Sequence, residues 1–272
     1  MPSVCPPVAC RSHDHARTFG DYVELETGHR CTVLSGVLPM QDGRVLLLLE
    51  VQAVEGDAAG KDEVQHELAM LSDRSGDFSG SPSPTVVAAG LAAARPSTIF
   101  WDQRQCLCPT TGRLAAAFWT YNRASEDDID ISFAWGEPDG DGDGEGILWE
   151  QPRPTGIAGQ IAQPAVLRDG RVFLFYVHRS APCSMRLVCS RDGGRTFPTD
   201  DELVVYATDA AHTEMQSRGD YSNFFDMDDG DMAKWTFGHP AVVVLDESTL
   251  LLAYYAGVDE TQLDARWAVV TV

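Results

Sequence analysis

Short apolar runs rich in Val, Leu, Phe and Tyr recur along the chain between clusters of Gly, Pro and Asp, and the spacing of an amphipathic helix is nearly absent. The pattern predicts an all-β protein. One unit repeats: a proline, a short stretch, a turn, then an apolar strand ending in polar or aromatic residues. The copies begin at Pro39 (turn Asp42-Gly43, strand to Glu50), Pro109 (turn at Gly112, strand to Trp119), Pro164 (turn Asp169-Gly170, strand to Tyr176) and Pro240 (turn after Asp246, strand to Tyr254 and Tyr255). Asp-Gly suits a hairpin because Gly accepts positive φ and Asp bonds its own backbone. More strand material follows each hairpin, at residues 66–71, 130–135, 184–189 and 265–272. Such units cannot bury both faces alone, and four to five of them describe the blades of a β-propeller. The last unit is one strand short, and residues 22–26 are expected to supply that strand and close the ring. Residues 82–95 read as an inter-blade linker, and 199–235 as a long loop with a short helical piece. The expected organisation is an irregular segment over 1–18 and a single propeller domain over 19–272.

Composition narrows the partners. Hydrophobic residues make up 44% of 272 positions, enough for a core, and no apolar run approaches the roughly 18–20 residues of a membrane span. Lys and Arg number 20 against 41 Asp and Glu, a net charge of −21, with Lys61 and Lys234 the only lysines. Nucleic acid is excluded as a partner because phosphate binding needs a basic footprint. An anionic ligand would need a local arginine cluster working against the global field. The first twenty residues lack the apolar core of a secretory signal, so a cytoplasmic location is the default expectation, and an extracellular one if the true N-terminus lies upstream. Seven scattered cysteines, an odd number, argue for reduced buried thiols rather than a disulfide framework. Cys106-Leu-Cys108 has no second pair at zinc spacing.

The third unit contains Ser190-Arg-Asp192-Gly-Gly194-Arg-Thr196-Phe197, which matches the Asp-box pattern Ser-x-Asp-x-Gly-x-Thr-aromatic at every position. Asp192 is expected to accept backbone N–H bonds, Gly194 to take a conformation closed to other residues, and Phe197 to pack inward. A degraded copy runs from Ser72-Asp73 through Gly76 to Phe78, and in the second unit the turn is stretched between Ser132 and Trp149. On these motifs the chain resembles the sialidase (neuraminidase) superfamily of Asp-box β-propellers, over roughly residues 33–272. The resemblance implies glycoside hydrolysis at the mouth of the central channel. Exo-sialidases of that family use an arginine triad for the sugar carboxylate, a Tyr–Glu nucleophilic pair and an Asp acid/base. A tyrosine suits an anomeric centre that already bears a negative group. It also implies that Ser190, Asp192, Gly194, Thr196 and Phe197 are structural. The chain departs from the family where Phe-Arg-Ile-Pro aligns with Gly36-Val37-Leu38-Pro39, which puts Val37 in place of the arginine; Ala162 and Gly238 hold that place in later units. The family has six blades, whereas four clear units are present here.

In a propeller the matching ends of the hairpins converge on the channel. Those ends carry Glu50 and Gln52, Tyr121 and Arg123, His178 and Arg179, and Tyr255 with Asp259. Arg123 and Arg179 are expected to grip a carboxylate, with Gln52, Tyr121 and His239 as further substrate contacts. Tyr255, Glu50, His178 and Asp102 are the candidates for nucleophile, acid and base, Asp102 because aromatic Trp101 beside it can raise a carboxyl pKa. The competing reading pairs the arginines with surface carboxylates such as Asp127 or Asp128 and gives Tyr255 and His178 ordinary strand-end packing. A second constellation, Asp139, Asp141, Asp143 and Glu150, has the spacing that wraps oxygen ligands around calcium. Without flanking helices it is no EF-hand, so the choice lies between a structural Ca2+ loop and a solvated acidic turn; no other cofactor is required. Asp226, Asp228, Asp229 and Asp231 form another acidic loop. The leading expectation is an exo-α-sialidase-like glycoside hydrolase acting on a glycan or glycoside, the alternative a non-catalytic carbohydrate-binding or protein-interaction propeller. Oligomeric state is left open.

Overall fold

The computed structural model describes residues 7–25, 31–51, 66–78, 85–89, 98–122, 125, 127–138, 146–208, 235–259 and 261–272. Among them every regular element is a strand, and no helix is long and apolar enough to cross a membrane. Four antiparallel sheets follow one another in chain order. The first blade is β3 (Cys31–Pro39), β4 (Val45–Val51), β5 (His66–Leu71) and β6 (Thr85–Ala89). The second is β7 (Thr98–Leu107), β8 (Leu114–Asn122), β9 (Asp127–Pro138) and β10 (Ile147–Trp149), with β11 (Arg153–Pro154) also paired to β9. The third is β12 (Ala162–Val166), β13 (Val172–His178), β14 (Ser184–Ser190) and β15 (Leu203–Ala207). The fourth is β16 (Phe237–Val244), β17 (Thr249–Asp259) and β18 (Gln262–Thr271). Their first strands lie side by side, β3 against β7, β7 against β12 and β12 against β16. This is a four-blade β-propeller arrangement with those strands innermost.

The repeating hairpin holds as expected from the turn chemistry. At Asp42 and Asp169 the carboxylate accepts the N–H two residues on and pairs with Arg44 and Arg171 at 2.6 and 2.7 Å. Between blades, alternate strand residues interleave into apolar seams. Leu46, Leu48, Ala69 and Leu71 meet Phe100, Ala116 and Phe118; Ala117, Ile131 and Phe133 meet Val172, Leu174 and Val188; and Phe173, Phe175 and Leu187 meet Leu250, Leu252 and Ala256. Each seam removes large side chains from water on both sheets, so a blade draws its stability from its neighbours.

Three expectations need correction. Residues 22–24 do not complete the last blade: β2 (Tyr22–Glu24) pairs with β1 (Val8–Cys10) as a separate hairpin, so the segment 1–18 is not wholly irregular. A local turn ties these strands together, which costs far less chain entropy than pairing across the whole sequence. The hairpin packs on the first blade through Leu25 and Ala9 against Leu47, Leu49 and Phe78. Residues 85–89, read as linker, form β6, and residues 203–207, read as loop, form β15. Most of 209–235, including the acidic group from Asp226 to Asp231, lies outside the described residues.

Candidate functional site

The chemistry collects at one end of the channel because strand register puts it there. Counting rungs along the second and third strands of each blade, Glu50 opposite Glu67 in the first blade matches Trp119 opposite Ile131, Val177 opposite Met185 and Tyr255 opposite Ala265. The second and third blades fill that rung with apolar groups; the first places two carboxyls there and the fourth the Tyr255 hydroxyl. Between them, the innermost strands are distorted. The pairing of β7 with β8 slips between Trp101 and Arg104, and that of β16 with β17 slips between Gly238 and Ala241. At these bulges Asp102 and His239 each hold φ at +48°, a left-handed conformation costing about 1–3 kcal/mol for a residue with a side chain. A bulge re-aims side chains off the regular pleat, here Asp102 and His239.

A continuous strip of polar contacts results. The Asp102 N–H donates to Glu50 Oε2 at 3.2 Å. The Asp102 carboxylate pairs with the Arg104 guanidinium at 2.7 Å, and the same Arg104 nitrogen lies 3.4 Å from His239 Nδ1. The His239 ring lies 5.7 Å, centre to centre, from that of Tyr255. A Cβ added to Gly238 would sit 3.0 Å from the Tyr255 hydroxyl and 3.2 Å from an Arg179 nitrogen, so the bare backbone there leaves the space in which the two meet. Arg179 is buried, with its guanidinium 4.4 and 4.3 Å from the ring centres of Trp235 and Phe237. It donates to the Phe237 carbonyl at 2.7 Å and to Gln160 at 3.3 Å.

Electrostatics sort the members. Burial, then the charges of Glu50 and Asp102, push the Glu67 carboxyl well above the ordinary carboxylate range and favour its protonated form. Burial, together with Arg104 and Arg179, pulls His239 below the usual histidine value against the opposing pull of Asp102, which leaves the imidazole neutral. Burial raises the Tyr255 hydroxyl, and Arg179 partly offsets it. The strip thus sets the Arg104 and Arg179 guanidiniums beside the Glu50 and Asp102 carboxyls inside a chain of net charge −21. Both Glu67 oxygens, Arg104 Nε and Gln105 Oε1 are buried and lack hydrogen-bond partners among the described residues. Buried polar groups of this kind are normally satisfied by water or a ligand.

The structure brings together Glu50, Asp102, Arg179, His239 and Tyr255 from the expected set. It separates others. His178 follows Val177 and so faces the opposite side of the sheet, where it lies 3.3 Å from the Pro182 carbonyl and near Arg186 and Glu202. Tyr121 is a core residue, stacked on Trp101 at 4.9 Å. Asp259 caps the β17–β18 turn by accepting from Thr261 and Gln262. Glu150 lies near the opposite end, paired with Arg113 at 2.7 Å, and no group of three or more metal-ligating side chains occurs among the described residues. Gln52, Arg123, Asp139, Asp141 and Asp143 lie outside those residues. Val37 is an exposed strand residue. Glu67 and Arg104 are members that sequence reading missed. The turn at residues 190–197 behaves as a structural device at the far end. Asp192 accepts from the N–H groups of Arg195 and Thr196 at 2.9 Å and from the hydroxyls of Ser190 and Thr196 at 2.7 Å. Burial pushes the Cys106 thiol up to about 12, an inert group.

No family model and no curated protein matches the chain. Among solved structures it is similar to a protein of unknown function from Dyadobacter fermentans, with a TM-score of 0.59 and 18% identity, covering 97% of this chain and 64% of that one. The microbial sialidase Hz136 from the Hadza gives a TM-score of 0.53 at 9% identity, over 86% of this chain and 43% of that one. The fold is that of the sialidase-like propellers. A PL25 ulvan lyase shares the arrangement, with a TM-score of 0.53 at 11% identity over 97% of this chain and 58% of its own. This sialidase-like propeller thus spans less than two thirds of the length of these structures.

Proposed function

We propose that this propeller is carbohydrate-active and that it hydrolyses terminal glycosidic bonds in the manner of an exo-sialidase. The observation that carries the reading is the polar strip from Glu67 to Arg179, built at two strained bulges and holding unsatisfied buried groups. Tyr255 serves as nucleophile: its Oη bonds to the anomeric carbon while its proton passes to the neutral His239 imidazole, and Arg179 steadies the developing phenolate. Asp102, the most exposed carboxyl of the cluster, acts in its protonated form as acid to the leaving oxygen as the glycosidic C–O bond breaks, and the carboxylate left behind then acts as base to the incoming water. Arg104, anchored by Asp102, meets an anionic group on the sugar. The similarity to a sialidase and to a polysaccharide lyase at the level of fold supports a carbohydrate substrate and leaves its identity to experiment.

The test is hydrolysis of a panel of aryl glycosides, aryl α-sialosides first, by the purified chain and by Tyr255→Phe. Turnover by the wild type that falls by about two orders of magnitude or more in Tyr255→Phe, with unchanged melting, supports the reading. No turnover across the panel, with glycan binding that survives Tyr255→Phe, would place the chain among binding modules instead.

A further inference from the structure

Two exposed apolar surfaces, one on the first hairpin and one on the fourth blade, face away from the seams between blades. In the first, residues 12–19 join β1 to β2 in a turn with the bonding of residues 190–197. Asp14 accepts from the N–H groups of Arg17 and Thr18 and from the Thr18 hydroxyl, and Ser12 Oγ accepts from the Ala16 N–H. In the third blade the aromatic closing the turn, Phe197, is 6% exposed and sits edge-on to Phe133 of the second blade at 5.7 Å. Its counterpart Phe19 is 60% exposed. In the second, the outer face of the fourth blade is open: Trp267 is 71% exposed, with Val269 and Val243 exposed beside it.

Register says what that face is shaped to receive. Leu114 and Leu250 start equivalent strands and both pack toward the preceding blade. Three residues on, Ala117 stands opposite Phe133 and Ala253 opposite Trp267. Trp267 therefore holds the position of Phe133, the ring on which the following blade's turn aromatic lands. The first blade repeats the contact against the N-terminal hairpin: Phe78 packs with Leu25 and Ala9, and Arg11 donates to the Ser75 carbonyl as Arg153 donates to that of Gly194. Phe19 and Trp267 are thus the two unmatched halves of an inter-blade contact that the chain makes elsewhere.

We propose that a second copy of this chain completes it, the turn at residues 12–19 of one copy seating Phe19 on Trp267 of the other, head to tail. The inference stands independently of the proposed activity. The contact is mainly apolar. Val269 replaces Trp135, whose indole N–H donates to the Gly193 carbonyl at 3.0 Å, and Ala16 replaces Gly194, so the turn rides further from the ring. Reciprocal contacts close a pair of copies. A charge of −21 on each copy opposes their approach, so association strengthens as salt screens it.

Sedimentation equilibrium of the full chain tests this. The expected mass is twice 29.6 kDa at high ionic strength, falling toward the monomer as salt is withdrawn. Phe19→Asp and Trp267→Asp alter exposed side chains and should each keep the wild-type melting curve while losing self-association. Mixed together they should regain a heterodimer, because each retains the half the other has lost. A wild type that stays at the monomer mass, assembly that ignores both variants, or a mixture that fails to reassociate would each overturn the proposal.

Discussion

Replacing Gly194 by alanine measures how closely the turn of the third blade is seated on the second. Gly194 has φ +78°, and an added Cβ would lie 2.7 Å from Phe133 Cε1 and 3.0 Å from Cζ. That ring cannot step aside freely, being buried and held edge-on by Trp135 at 5.5 Å and Phe197 at 5.7 Å. Two costs add. A left-handed backbone disfavours alanine by about 1 kcal/mol, and displacing a ring in a packed seam costs about 1–3 kcal/mol. The sum, about 2–4 kcal/mol, lowers Tm by about 4–8 °C in a chain of this size. The turn at residues 12–19 supplies an internal control: Ala16 already holds φ +62° there, so Ala16→Gly should raise stability by about 1 kcal/mol through the backbone alone. Thermal melts of the two variants, followed by circular dichroism at neutral pH, give the comparison. A Gly194→Ala loss no larger than the Ala16→Gly gain would show that Phe133 is not pressed by the turn, and the seating argument would fail.

Two predictions concern the pH dependence of the strip. Burial raises the folded-state pKa of Glu67 above the ordinary 4.5, so the protein loses stability as pH rises from that value toward the folded one; Glu67→Gln should flatten this loss in chemical denaturation at stepped pH, and an unchanged slope would contradict a protonated Glu67. His239 is shifted the other way, below 6.5, so its share of stability is present above that value and is lost as pH falls through the folded one; His239→Gln should remove that acid-side loss, and a variant curve parallel to the wild type would contradict a neutral imidazole.

Local chemistry made the blades legible. Asp-Gly turns after Pro39 and Pro164 and the apolar runs that follow them define β4 and β13 without any knowledge of the rest. The turn at residues 12–19 escaped notice because Ala16 stands where the motif has glycine, in a segment otherwise crowded with charge and proline. Tyr121 and His178 were misplaced for a different reason: proximity to a strand end does not reveal the rung or the face, and a single step turns His178 away from the side that Val177 shares with Met185. Glu67 sits in a run, His-Glu-Leu-Ala-Met-Leu, that reads as an ordinary strand, and only its pairing with Glu50 exposes it as half of a buried carboxyl pair. The bulges at Asp102 and His239 are hard to read from the sequence: Asp and His take positive φ more often than other side chains but far less freely than glycine, so neither residue marks the bend by itself.

Covalent trapping tests the central claim most directly. A 3-fluorosialyl fluoride carries at the anomeric carbon a leaving group good enough to form a glycosyl-enzyme bond, and beside it a fluorine that slows hydrolysis of that bond. Incubated with the purified chain and followed by peptide mass spectrometry, it should add one sugar to the peptide containing Tyr255 and none to Tyr255→Phe. An adduct on another residue, or an unlabelled protein that nonetheless turns over an aryl sialoside, would contradict the assignment of Tyr255 and of the strip around it.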